Sequence, residues 1–366
     1  RDLRMSRGLG DVYKRQEDTL MKKKLLGLAL LGAMMATLLV GCGSSGGKKG
    51  DTKDDVITIG FSQVGAESDW RTANSESMKS TFSEKNGYKL IFDDAQQKQE
   101  NQITAIRNFI QQEVDYIVLA PVTESGWDPV LKEAKDADIP VIIVDRMVDV
   151  SDDSLYTAWV GSDFKLEGEK ACAWLKAYTE AKGMKEVNIV DIQGTIGASA
   201  QIGRTEALNE AVKANGWNLL AQQTGEFTQA KGQEVMESML KQYKNINVVY
   251  CENDNEAFGA INAIEAAGKK VGPDGDILVM SFDTTKAGIT DTLSGKIILN
   301  TECNPLHGPR VEEIIKKLEA NEKVDKKAYV DEGIFAHSDD VTTVKAGDKD
   351  FDVTKVTKDV IDKRAY

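Results

Sequence analysis

Trp70 and Arg71 stand side by side at the end of residues 60–71, GFSQVGAESDWR, just past an apolar run with the β-branched residues Val56, Ile57 and Ile59. An indole face covers the C–H face of a polyhydroxy ring, and a guanidinium beside it donates through a rigid fork to hydroxyl oxygens. Similar chemistry recurs at the ends of other apolar runs. Residues 141–144 deliver Asp145 and Arg146, and residues 248–251 deliver Glu252, Asn253, Asp254 and Asn255. Residues 278–282 deliver Asp283, and residues 90–92 lead to Asp93, Asp94, Gln96 and Gln97. Residues 297–299 lead to Asn300, Thr301, Glu302 and Asn304, while Arg204 follows the glycine-rich turn 194–203. A carboxylate accepts from two adjacent hydroxyls, arginine donates in a plane, and asparagine or glutamine does both. A hydrogen bond to a charged group contributes about 1.5–3 kcal/mol, so such a set sorts guests by hydroxyl pattern.

Positioning those residues requires strands that end where they stand. Apolar β-type runs occur at 56–61, 88–93, 115–120, 140–145, 156–161, 186–193, 217–223, 246–251, 276–282 and 296–301. Between them lie helix-period segments. In 99–112, Ile103, Ile106 and Ile110 share a face, as do Phe258, Ile261 and Ile264 in 255–267. Runs such as 117–120 and 141–144 are apolar throughout, as strands covered on both faces should be. Regular βα alternation implies parallel sheets with right-handed crossovers. The length after the leader is too great for one such sheet, so two α/β domains are expected, with the break near Gly161. The helix at 307–321 and the segments after it are free to return to either half.

The ends of the chain carry a different signal. Met21 is followed by three lysines, an apolar stretch at 25–40 and then Gly41-Cys42. About 16 apolar residues fall short of the roughly 20 of a membrane span. The pattern is that of a secretion signal cut before a lipidated cysteine, with Cys42 as the lipidation site and membrane contact through that anchor only. Residues 43–50, GSSGGKKG, read as a flexible tether, and residues 1–20 as an upstream artefact outside the fold. The formal charge of the whole chain is −13; without residues 1–41, 38 basic residues face 55 acidic ones. That balance argues against nucleic acid as a partner. Cys172, Cys251 and Cys303 are an odd set in separate segments and do not form a disulfide framework. Cys172 and Cys251 read as core residues; Cys303 stays open.

The blocks GFSQVGAESDWR (60–71), QQKQENQ (96–102), APVTESGWDPVLKEAKDADIPV (120–141), QGTIGAS (193–199) and KGQEVMES (231–238) carry a specific resemblance. The chain resembles the ribose/galactose-type periplasmic binding proteins of sugar ABC transporters, most closely their galactofuranose-binding members, from about Val56 to Asn304. The resemblance implies a periplasmic binding protein-like type I fold, with two Rossmann-like lobes joined by a three-strand hinge that closes over a monosaccharide. It implies an N-terminal lobe of 56–160 plus 304–332 and a C-terminal lobe of 161–303 plus 333–366, with 21–41 as leader and 42–55 as tether. Carried onto matching positions, the ligand contacts are Trp70, Arg71, Gln97, Asp145, Arg146, Arg204, Asn253 and Asp283, with Glu302 or Asn304 near the third crossover. An ABC transporter permease is the implied partner, and a monomer without cofactor or metal the implied form. The lipobox departs from the freely soluble type and suggests a single-membrane bacterium. Asn255 stands where an acidic residue is common.

Other functions fit the residues less well. Gly194 and Gly197 do not make GxGxxG, and residues 47–48 lack the spacing of a phosphate loop. Ser199 lacks the second glycine of a nucleophile elbow, and His307 and His337 read as a surface helix-start histidine and a loop histidine. Asp348, Asp350 and Asp352 lack the turn glycine and distal glutamate of a calcium loop. Trp127, Trp159 and Trp174 read as packing residues, with Trp127 a candidate for the cleft rim. The effector core of a sugar-responsive repressor would need a basic DNA-binding segment. A receptor that presents sugar to a sensor kinase is the alternative left open.

Overall fold

Two sheets with the same strand order organise the computed structural model, which describes residues 56–366. The first half contains β1 (Ile57–Gln63), α1 (Asp69–Thr81), β2 (Tyr88–Asp94), α2 (Gln99–Gln111), β3 (Tyr116–Leu119), α3 (Asp128–Asp136), β4 (Val141–Val144) and β5 (Ala158–Gly161). The second contains α4 (Phe164–Ala181), β6 (Asn188–Gln193), α5 (Ser199–Asn215), β7 (Asn218–Thr224), α6 (Gln229–Gln242), β8 (Val248–Cys251), α7 (Asp254–Ala266), β9 (Leu278–Asp283), α8 (Lys286–Ser294) and β10 (Leu299–Glu302). There follow α9 (Gly308–Glu319), β11 (Lys327–Tyr329), β12 (Ile334–Ala336), β13 (Thr343–Ala346), β14 (Lys349–Lys355) and α10 (Lys358–Lys363). The sheet orders are β11-β5-β4-β3-β1-β2 and β13-β14-β12-β10-β9-β8-β6-β7. In each, the first strand lies between the second and the third, so the order reverses there. Ligands bind at such a reversal, beyond the carboxyl ends of the strands.

All ten apolar runs are strands, and the pairs among β1–β10 are parallel. The expectation of purely parallel sheets fails only after the last crossover. There β12 pairs antiparallel with β10, and β13 with β14. Only two residues join β13 to β14, a hairpin connection that makes the pair antiparallel, whereas β12 returns to the second sheet from β11 of the first by the third crossing and not by a βα unit. The chain passes between the sheets three times, at 161–163, 303–307 and 330–333, because α9 packs on α1 and β11 pairs with β5.

Each sheet is sandwiched between helices. Ile117, Leu119, Ile143 and Trp159 pack under α2 and α3 on one face of the first sheet, while Ile59, Phe61, Val118 and Val144 meet α9 on the other. Trp127 lies in the first of these clusters, fully buried, its Nε1 donating to the Thr123 carbonyl at 2.7 Å. It is a packing residue and not part of the cleft rim, because its ring fills the space between α3 and the sheet. Cys172 and Cys251 are buried core thiols. No helix among the described residues is long and apolar enough to cross a membrane.

The second half also buries carboxyl groups in its interior. Burial pushes Asp191 up to about 7, against a hydrogen bond from Gln222, and Asp254 up to about 6, against bonds from Thr285, Ser281 and Asn300. Both folded-state values exceed the unfolded ones. Their stabilising contribution is therefore complete below about pH 4 and is lost as pH rises through 6 and 7. The thermal midpoint is expected to increase as pH falls from 8 to 5. Asp191→Asn should flatten that slope; an unchanged slope in a melting series across this range would exclude Asp191 as its source.

Candidate functional site

The loop after β1 and the first turn of α1 bring Glu67, Ser68, Trp70 and Arg71 to the reversal point of the first sheet. The Ser68 side chain caps α1 by accepting from the Arg71 amide. Asp145 and Arg146 arrive at the end of β4. From the second half come Arg204 on α5, Asn253 at the end of β8 and Asp283 at the end of β9. Together with Phe164, Ala200, Phe227 and Cys303 they line a cavity between the halves. Asp145 and Asp283 hold left-handed backbone angles of φ 63° and 98°, strained for residues with a Cβ. Such strain persists where the surroundings fix a side chain for a purpose.

Charge in the pocket is arranged in pairs. Arg71 Nε lies 3.0 Å from Glu67 Oε1, and its Nη2 lies 2.8 Å from Asp145 Oδ2. That second approach is not aligned as a hydrogen bond, so Asp145 Oδ2 keeps its acceptor capacity. Burial opposes the charge on Asp145, but the guanidinium groups of Arg71 and Arg146 outweigh it and hold its carboxyl below the usual range. Arg204 meets Glu167 Oε2 through Nε and Nη2, both at 2.8 Å, and also donates to the Glu252 carbonyl. Arg146 is the least compensated of the three. It donates to the Val122 carbonyl at 2.9 Å, and Glu67 is 3.7 Å away. Burial and the charge of Arg71 lower its guanidinium to about 10. Its remaining N–H groups are free to donate in the pocket.

Aromatic surface closes the cavity. Trp70 donates from Nε1 to the Cys303 carbonyl at 2.6 Å, and the Arg71 guanidinium lies 4.6 Å from its ring centre. Arg146 sits 5.0 Å from the centre of the Phe227 ring. Three hydrogen bonds join the halves around the rim. Asp69 N donates to Asn255 Oδ1 at 3.0 Å, Glu124 N to the Gly197 carbonyl at 2.9 Å, and Met147 N to Ser199 Oγ at 2.8 Å. The structure is thus the closed arrangement, and the asparagine at 255 serves as one of its fasteners.

Seven of the residues selected from the sequence meet in this pocket: Trp70, Arg71, Asp145, Arg146, Arg204, Asn253 and Asp283. Three lie outside it. Gln97 is exposed at φ 60°, and its amide donates to the Val64 carbonyl. Glu302 accepts from Arg364 at 2.6 Å, from Tyr366 at 2.8 Å and from the Gly333 amide at 2.9 Å. Asn304 Oδ1 accepts from Leu306 N, and its own amide donates to Glu332 Oε1. Sequence reasoning missed Glu67, Phe164 and Phe227. The reading of His307 as a surface residue is also corrected. It is fully buried, with Nδ1 2.9 Å from Asn74 Nδ2, and burial holds its imidazole down to about 4. The reason is that the second crossover docks directly on α1.

A cleft between two sheets of matching strand order, closed at its rim and lined by paired charges and aromatic rings, defines a two-lobed binding protein of the periplasmic type I fold. The chain belongs to the periplasmic binding protein family, whose domain matches residues 59–298. It is 46% identical to the galactofuranose-binding protein YtfQ of Escherichia coli over 265 residues, 71% of this chain and 81% of that protein. A crystal structure from Mycobacterium smegmatis in complex with β-D-fucofuranose superposes with a TM-score of 0.74 at 44% identity, covering 78% of this chain and 92% of the other. The periplasmic binding protein of the arabinose ABC transporter of Shewanella sp. ANA-3, bound to α- and β-L-arabinofuranose, gives 0.71 at 43%, covering 77% and 92%. These relatives are binding proteins, not enzymes.

Proposed function

We propose that the protein captures a monosaccharide of the galactofuranose type outside the cytoplasm and delivers it to an ABC importer. The observation that carries this reading is the pocket itself. Ionic donors and acceptors from both sheets converge with an indole on one enclosed space. The likeness to a galactofuranose-binding protein at 46% identity supports the choice of sugar. In this reading Trp70 covers the ring, while Arg71, Asp145, Arg146, Arg204, Asn253 and Asp283 engage its hydroxyls. The lobes are 56–160 with 304–332 and 161–303 with 333–366. Gln97 shapes a turn, and Glu302 and Asn304 belong to the hinge. Ligand contacts made only when the lobes meet shift the population toward the closed form, which docks on the permease. Calorimetry with galactofuranosides, galactopyranose, ribose and arabinose tests the reading. Furanose forms should bind most tightly, and no heat from any monosaccharide would refute it.

Anchoring through Cys42 belongs to the same proposal; that residue lies outside the described part of the structure. A Cys42→Ala variant is expected to move from the membrane to the soluble fraction. Retention at the membrane would instead indicate an uncleaved anchor helix.

A further inference from the structure

We propose that Glu167, Cys303 and Glu332 form a site for a divalent cation of the zinc class where the three crossing segments meet. The three residues present a carboxylate oxygen each from the glutamates and the Cys303 sulfur within 4.8 Å of one another. Each belongs to a different crossing. Glu167 opens α4 directly after the first, Cys303 lies in the second, and Glu332 lies in the third. Ligands around a tetrahedral zinc lie about 3.5 Å apart, so a small contraction would complete the set. A thiolate with two carboxylates suits a borderline cation and not magnesium or calcium, which take oxygen alone.

A second observation points to a missing guest. Glu167 is 1% exposed, and its Oε1 receives no hydrogen bond from the folded chain. The other oxygen, Oε2, is taken by Arg204. Ser162 Oγ donates to Glu332 Oε1 at 2.7 Å and lies 3.4 Å from the Cys303 sulfur, so a hydroxyl borders the cluster. Lys170 donates to the Glu332 carbonyl oxygen at 3.0 Å, and Asn304 N also donates to Glu332 Oε1 at 2.6 Å, so Oε2 is the carboxylate oxygen left for a cation. The neighbouring charges are Arg204, Lys170, Asp283 and Glu302. Burial pushes Glu167 toward its protonated form against Arg204 and a hydrogen bond shared with Glu332, and burial with the charge of Glu167 does the same for Glu332 and Cys303. A divalent cation replaces the thiol proton and a carboxyl proton, both of which leave to solvent, with no change of oxidation state. Bound there, it would tie the three crossings together beneath the sugar pocket, which Cys303 also lines.

The test needs no sugar, so its outcome is independent of the ligand assignment. The full chain carrying Cys42→Ser is titrated with Cd²⁺, and the ultraviolet thiolate-to-metal charge-transfer band is followed. The band should saturate at one equivalent and be displaced by Zn²⁺. Cys303→Ser should abolish it, while Cys172→Ser and Cys251→Ser keep it. Glu332→Gln, at a half-buried position, should weaken the cation by at least about tenfold. No band, a band that survives Cys303→Ser, or undiminished affinity in Glu332→Gln would each overturn the proposal.

Discussion

The Arg71→Met variant is expected to bind sugar about a hundredfold or more weakly, the largest loss from any single pocket residue. Arg71 is buried and is the shared partner of Glu67, Asp145 and Gln63. Methionine keeps much of its length beside Trp70 but leaves two buried carboxylates without their cation. Removing one partner of a buried pair costs about 3–5 kcal/mol, because the other charge stays desolvated. At 1.4 kcal/mol per tenfold, even the low end reaches about a hundredfold if most of it falls on the closed state. Asp145 would also lose the larger of the two guanidinium charges that hold it ionised as an acceptor, leaving only Arg146. Arg146→Ala should cost less, about tenfold, since its pairing with Glu67 is long and Arg71 stays in place as the cation for Glu67 and Asp145. Calorimetry on both variants, with circular dichroism to confirm folding, decides the ranking. An Arg71→Met protein that binds as tightly as Arg146→Ala would show that the ion pairs do not organise the pocket.

How much of this was legible in the residues follows from where each signal arises. Runs such as 117–120 and 141–144 announce strands because only a strand covered on both faces is apolar at every position. The short C-terminal strands give no such signal. Lys327–Tyr329 is only three residues long and Lys349–Lys355 is mostly polar, and both lie at or beside a sheet edge, where one face meets water. Their place is set by tertiary pairing with β5 and β12, not by pattern.

The pocket divides in the same way. Asp145 and Asp283 follow β4 and β9, which lie inside their sheets, so the rule that ligands sit beyond strand ends finds them. Gln97 follows β2, the edge strand, but its backbone turns back onto Val64 and leaves the side chain exposed, so the strand-end rule does not reach it. Glu302 does follow an internal strand, but Arg364 and Tyr366 occupy its carboxylate from the tail, a contact between residues 62 and 64 positions apart. Glu67 sits in a loop among other polar residues, and only the fold sets it opposite Arg71 and Arg146. Phe164 and Phe227 read as ordinary apolar residues at helix starts. A signal for Phe227 existed, since Gly194 is the position that tolerates its ring.

That packing leads to the second large effect. A Cβ built on Gly194 would lie 1.9 Å from Phe227 Cζ and within 2.4 Å of two other ring carbons. Gly194 therefore packs against the far end of the ring, and any side chain there must drive the ring away. Phe227 has little freedom to give, because it is buried at φ 60° and its amide is held by Glu256. The ring must swing toward the cavity, where Arg146 lies against it. Overpacking of this kind costs about 1–3 kcal/mol, and here the displaced atoms enter the space meant for the ligand. Gly194→Ala is expected to lower sugar affinity by about ten- to a hundredfold while leaving the two sheets folded. The double variant Gly194→Ala with Phe227→Ala removes the clash and should recover part of that loss, relative to what Phe227→Ala costs alone. A double-mutant cycle measures this coupling directly. Strict additivity of the two changes would mean that the ring is not the element through which the glycine acts, and that the backbone of the 194–199 turn itself shapes the site.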